Sequence, residues 1–163
     1  MYQWATVVVL VLVACNGTPR ATADASCNTP DRPEADWKSD SGSAFRFVIP
    51  PEFRRVARRG VDSEVGWWES QSGEIFYDYG AYSNPLNDSP YSSGHMCIVQ
   101  VGQRGARLVQ YRKPNGDFAV AGHWQGFGDA GLGPVALTVM GSSRDSAAAA
   151  KLWRSLWSVT FRH

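Results

Sequence analysis

Charge of one sign, long hydrophobic runs, histidine and catalytic signatures are all scarce in this chain of 163 residues. Sixteen Lys and Arg stand against fifteen Asp and Glu, a formal net charge of +1. The clustered positive charge that draws a protein to nucleic acid by releasing counterions is therefore missing. The one basic cluster, Arg54-Arg55 with Arg58-Arg59, has Asp62 and Glu64 close by in sequence and reads as a solvated strand face. No Gly-x-Ser-x-Gly, His-Glu-x-x-His, Cys-x-x-Cys or phosphate-cradling glycine loop occurs. What is present, 44% apolar and 19% charged residues, describes one ordinary globular domain. No cofactor motif emerges.

The longest apolar stretch, Ala5 to Ala14, is interrupted only by Thr6. It falls short of the roughly 20 residues that span a bilayer, but it suits the apolar region of an export signal. It closes on Leu12-Val13-Ala14-Cys15, which resembles the bacterial lipobox, where the cysteine is acylated and becomes the new N-terminus. The resemblance implies a signal peptide over residues 1–14, a lipid on Cys15 and a mature chain of 149 residues held to a membrane. Asn16, not the aspartate that commonly retains lipoproteins in the inner membrane, follows the cysteine. Outer-membrane attachment facing the periplasm is the implied location. With Cys15 consumed by lipid, Cys27 and Cys97 remain as a pair in an oxidising compartment, and a disulfide between them is expected.

Residues 15–43 are rich in Pro, Ala, Ser, Thr, Asp and Gly, with Trp37 the only large apolar side chain, a composition that reads as a flexible tether. From Ala44 to His163 the pattern is that of a single α+β domain. Phe45, Phe47 and Ile49 alternate along a strand that Pro50-Pro51 ends. Strands at Val65–Ser70 and Glu74–Tyr79, at His95–Val101 and Ala106–Lys113, and at Phe118–Gln125 are separated by turn sequences, including Asn115-Gly116. Another follows at about Pro134–Gly141, and Val159–Phe161 ends the series. Consecutive hairpins imply an antiparallel sheet. One helix is expected over Arg144–Ser158, because Ala149, Leu152, Trp153, Leu156 and Trp157 form a single apolar stripe. Ser142 with Asp145 fits a capping box at its start.

A Phe-rich strand ending in Ile49-Pro50-Pro51-Glu52-Phe53, then antiparallel strands, then a helix carrying Leu152-Trp153-Arg154-Ser155-Leu156 into a last strand, resembles the PsbP/Mog1-like domains. That likeness implies an antiparallel sheet with flanking helix or helices, the C-terminal amphipathic one packed on the sheet. It also implies an accessory or binding role without catalytic residues.

The segment Gly80 to Gly94 exceeds an ordinary hairpin connection, and such loops tend to be functional or disordered. Its Tyr82, Asn84, Asn87, Asp88 and Tyr91, with Trp67 and Trp68 of the preceding hairpin, are the candidate surface for an envelope protein or a small ligand. Trp67 and Trp68 point to opposite faces of their strand, so only one can be exposed. The competing reading is a periplasmic hydrolase or metal-dependent enzyme using Asp62, Asp78, His95 or His123, which requires a histidine and a carboxylate to meet in one pocket. His123 reads as a surface or helix-facing imidazole. His95 and Cys97 share a strand face and suit a soft metal, a use that a disulfide at Cys97 precludes.

Overall fold

The computed structural model describes residues 27–88, 91, 94–128 and 134–162. Cys15 and the expected export signal lie outside them. The described chain is a mixed fold of two antiparallel sheets with a single helix packed on the sheet. Ten strands run in chain order as β1 (Lys38–Ser41), β2 (Phe45–Ile49), β3 (Arg54–Val56), β4 (Glu64–Glu69), β5 (Gly73–Gly80), β6 (His95–Val101), β7 (Arg104–Arg112), β8 (Phe118–Trp124), β9 (Ala136–Ser143) and β10 (Thr160–Phe161), with helix α1 (Ser146–Trp157) between the last two. Seven strands form one sheet in the order β3-β4-β5-β9-β8-β7-β6, and β1-β2-β10 form the other.

Period-2 alternation sorts the seven-stranded sheet into two faces. Ile75, Tyr77, Leu137, Val139, Trp124, Leu108 and Cys97 all point to the inner face and are almost wholly buried. The three-stranded sheet and α1 cover them. Phe45, Phe47 and Ile49 come down from β2, and Leu152, Trp153 and Leu156 from the helix. Phe47 meets Trp68 edge-on at 5.5 Å, and Phe45 meets Tyr77 at 4.8 Å. Across the sheets, Tyr77 Oη donates to Glu64 Oε1 at 2.9 Å, and Glu64 Oε2 accepts from Ser43 Oγ at 2.6 Å.

The helix starts three residues later than a Ser142 cap would have it. Asp145 is the N-cap, its carboxylate accepting from Ala147 N at 3.0 Å, and Ser142 is still in β9. At the other end Ser158 accepts the Val48 amide at 2.9 Å and donates to Ser155 O at 2.7 Å, binding the helix terminus to β2.

The expected tether does not extend to Ser43. Cys27 and Cys97 are disulfide-bonded with Cα atoms 5.8 Å apart, Trp37 is buried, and β1 pairs with β2 over Lys38–Ser41. Lys-Ser-Asp-Ser carries no apolar alternation, so this edge strand is held by its backbone ladder and by polar contacts such as Lys38 Nζ donating to Pro51 O at 2.8 Å. Arg154 lies over the Trp37 ring at 5.5 Å and reaches Glu34 at 3.5 Å, fixing the segment onto the helix. The arginine cluster is an edge strand and the loop after it. Its partners are Glu69 for Arg58, at 3.0 Å, and Asp40 for Arg55, at 3.8 Å, not the sequence neighbours Asp62 and Glu64.

Candidate functional site

The strand order explains the long connection after β5. That strand lies beside β9, whereas β6 forms the far edge, so the chain must pass β9, β8 and β7 before it can pair again. Four inter-strand steps of about 4.8 Å amount to roughly 19 Å, too far for a tight turn. The connection makes this crossing over the outer face of the sheet, the one turned away from α1. Leu86 plugs it down. That side chain is fully buried against Val109 and Ala121, with Tyr91, Met96, Tyr111 and Met140 around them. Leu86 adopts φ 56°, a strained value for a side chain with a Cβ. Asn84 Oδ1 accepts the Leu86 amide at 2.8 Å, and Arg107 donates to Pro85 O at 2.7 Å and to Asn87 Oδ1.

Where this connection leaves β5 it walls a cleft of about 770 Å³, lined by Tyr82, Ser83 and Pro85 on one side and by His123, Gln125 and Val135 on the other. Tyr82 stands 62% exposed at its rim. His123 is 4% exposed, which corrects the expectation of a surface or helix-facing imidazole: it lies on the outer face, under the connection. Cross-strand register sets Asp78, Thr138, His123 and Arg107 side by side on β5, β9, β8 and β7.

The hydrogen bonds fix the state of this histidine. Thr138 Oγ1 donates to Asn84 O at 2.7 Å, because a carbonyl can only accept. The same hydroxyl lies 2.9 Å from His123 Nδ1 and so must accept a hydrogen bond from its N–H. Ser83 Oγ, 2.7 Å from Thr138 and 2.9 Å from Asp78 O, completes the chain. His123 is thereby the Nδ1–H tautomer, and its Nε2 lone pair is buried with no protein partner among the described residues. Burial, reinforced by the Arg107 guanidinium, pulls its pKa down to about 4, so the ring is neutral near pH 7. The sequence marks none of this. Only the odd placement of a histidine among alanines on β8 hinted at it.

The other candidate residues divide. Trp68 is core, on the inner face, and cannot belong to a binding surface. Trp67 is on the outer face but stacks on Phe76 at 4.4 Å and is capped by Arg58 at 4.3 Å. Asn84 and Tyr91 are turned toward one another, Asn84 Nδ2 donating to Tyr91 Oη at 3.3 Å, and Tyr91 packs edge-on against Tyr111 at 5.1 Å. Asp88 is exposed. Of the residues named for an enzyme, Asp78 and His123 share a face with Thr138 between them. Asp62 sits in the loop before β4, and His95 lies on the inner face at the far edge, beside the disulfide. Glu64 and Glu74 serve structural contacts, Glu74 with Lys113 at 3.4 Å. No His–carboxylate pair forms within hydrogen-bond reach among the described residues.

No family model matches this chain, and no curated protein matches its sequence.

Proposed function

We propose that this chain is a lipid-anchored binding protein of the cell envelope, held by Cys15 and taking a small ligand in the cleft beneath the Gly80–Gly94 connection. The observation that carries the reading is the buried Nε2 of His123, unpartnered among the described residues, in a side chain that lines a 770 Å³ cleft. A buried acceptor left unmet costs about 1–3 kcal/mol, and a ligand that donates an N–H or O–H to it recovers that cost. The rest of the lining is mainly apolar, with Tyr82, Pro85, Pro134 and Val135, which suits a compact apolar body behind the donor group. The accessory role implied by the likeness to PsbP/Mog1-like domains belongs to the same reading, as does attachment to the outer membrane.

The test is an NMR titration of the mature chain, made soluble by Cys15→Ser, with phenol as the probe, since it joins one hydroxyl donor to an apolar ring. Shift changes should cluster at Ala81–Pro85, His123, Gln125 and Ala136 and vanish in His123→Phe. Changes scattered over the surface, or unaltered by His123→Phe, would overturn the assignment.

A further inference from the structure

A second group of side chains, on the opposite face from the cleft, carries chemistry of its own. Cys27, His95 and Cys97 bring their donor atoms within 4.8 Å of one another. His95 Nε2 lies 3.6 Å from Cys97 Sγ and 3.9 Å from Cys27 Sγ. With metal–sulfur bonds of about 2.3 Å and metal–nitrogen bonds of about 2.0 Å, a planar three-donor site sets each sulfur roughly 3.7 Å from the nitrogen. Both sulfur–nitrogen edges of such a site already exist here. Only the sulfur–sulfur edge is closed, by the disulfide bond.

We propose that reduction of the Cys27–Cys97 disulfide turns this corner into a binding site for copper(I), with the two thiolates and His95 Nε2 as its three ligands. Two thiolates and an imidazole are soft donors, and three of them satisfy a d¹⁰ monovalent ion, whereas zinc would demand a fourth. Cys97 is buried on the inner face, Cys27 is half-buried and His95 is exposed. The site is thus anchored on one side and open to solvent on the other, as an exchangeable ion requires. His95 and Cys97 hold their spacing because both belong to β6, two residues apart on one face. Cys27 comes from a segment without regular structure, so its sulfur can withdraw once the bond is cut.

The step balances with a dithiol as reductant. The disulfide takes two electrons and two protons, giving two thiols, while the dithiol becomes a disulfide. Copper(I) then displaces both thiol protons and remains monovalent. In the oxidised protein the sulfurs are spent on each other and the site is shut.

The experiment compares the oxidised and the dithiol-reduced mature chain, both carrying Cys15→Ser, titrated anaerobically with copper(I) against a chromophoric copper(I) chelator. The reduced chain should take up one equivalent and the oxidised chain none. X-ray absorption should show two sulfurs and one nitrogen around the metal. His95→Ala should lose the nitrogen and weaken binding at least about tenfold, beyond what losing an outer-shell partner of a metal ligand does at minimum. Circular dichroism checks the fold of the reduced chain and of the variant. Equal uptake by the oxidised chain, a two-sulfur spectrum that His95→Ala leaves unchanged, or loss of fold on reduction would each overturn the proposal.

Discussion

His123 Nδ1 and Thr138 Oγ1 lie 2.9 Å apart on neighbouring strands, and because that hydroxyl donates onward to Asn84 O the contact fixes the tautomer of the imidazole, while burial and the Arg107 guanidinium keep it neutral. Its pKa is lowered from 6.5 to about 4, so between those values the unfolded chain binds a proton that the folded chain refuses. Stability should be constant above about pH 6.5 and fall as the pH drops toward 4, by up to about 1.4 kcal/mol per pH unit from this one group. Urea unfolding of wild type and His123→Gln across pH 4.5–7.5 checks it. The variant should lose the slope that wild type shows in that window, and identical slopes would mean His123 protonates freely in the fold.

Leu86 is the peg of the long connection. Leu86→Ala should destabilise the domain by about 2–4 kcal/mol, the usual range for emptying a buried leucine site. Limited proteolysis should then find new cuts within residues 81–94, while Tyr82→Ala, at an exposed rim, should leave the digestion pattern and stability unchanged.

Trp153 closes the core from the helix side, 6.3 Å edge-on from Trp157. Trp153→Ala should cost about 3–5 kcal/mol in chemical unfolding. A cost under about 1 kcal/mol would place its ring outside the packed layer.

The Cys27–Cys97 bond closes 70 positions of chain. Chain entropy assigns such a loop about 4 kcal/mol, and replacing both cysteines by alanine should cost that or somewhat less. Mass spectrometry of the non-reduced, periplasmically expressed chain should recover the cross-linked peptide.

Acylation at Cys15 is tested by fractionation. Cys15→Ser should move the exported protein from the membrane to the soluble fraction, and a variant that stays membrane-bound in high salt without aggregating would speak against the lipid.

The elements that sequence made legible are those whose pattern is local. β6 runs over His95–Val101 as read, and the 3.6-residue stripe of α1 needed only its cap moved from Ser142 to Asp145. The turn glycines follow too: Gly102 and Gly116 take positive φ at the two tight connections where they stand. β1 escaped because Lys38–Ser41 carries no buried face to alternate, whereas Arg54-Arg55, read as part of a solvated strand face, are the start of the edge strand β3. The partition into two sheets escaped because it depends on β2 meeting β10 more than a hundred residues away. The cleft was half visible. Length singled out the loop after β5, but its partner on the outer face, His123, was set by cross-strand register, which sequence leaves free.

With Cys15 acylated, the disulfide fixes a leash. Twelve residue steps separate the lipidated position from Cys27, and a chain spans at most about 3.3–3.6 Å per step, so β6 can stand no more than roughly 40 Å from the membrane surface. Opening the bond would pass the restraint on to the Glu34–Arg154 and Trp37–Arg154 contacts, letting out up to ten further residues. The oxidation state of one sulfur pair would then set how far from its lipid anchor the domain can reach.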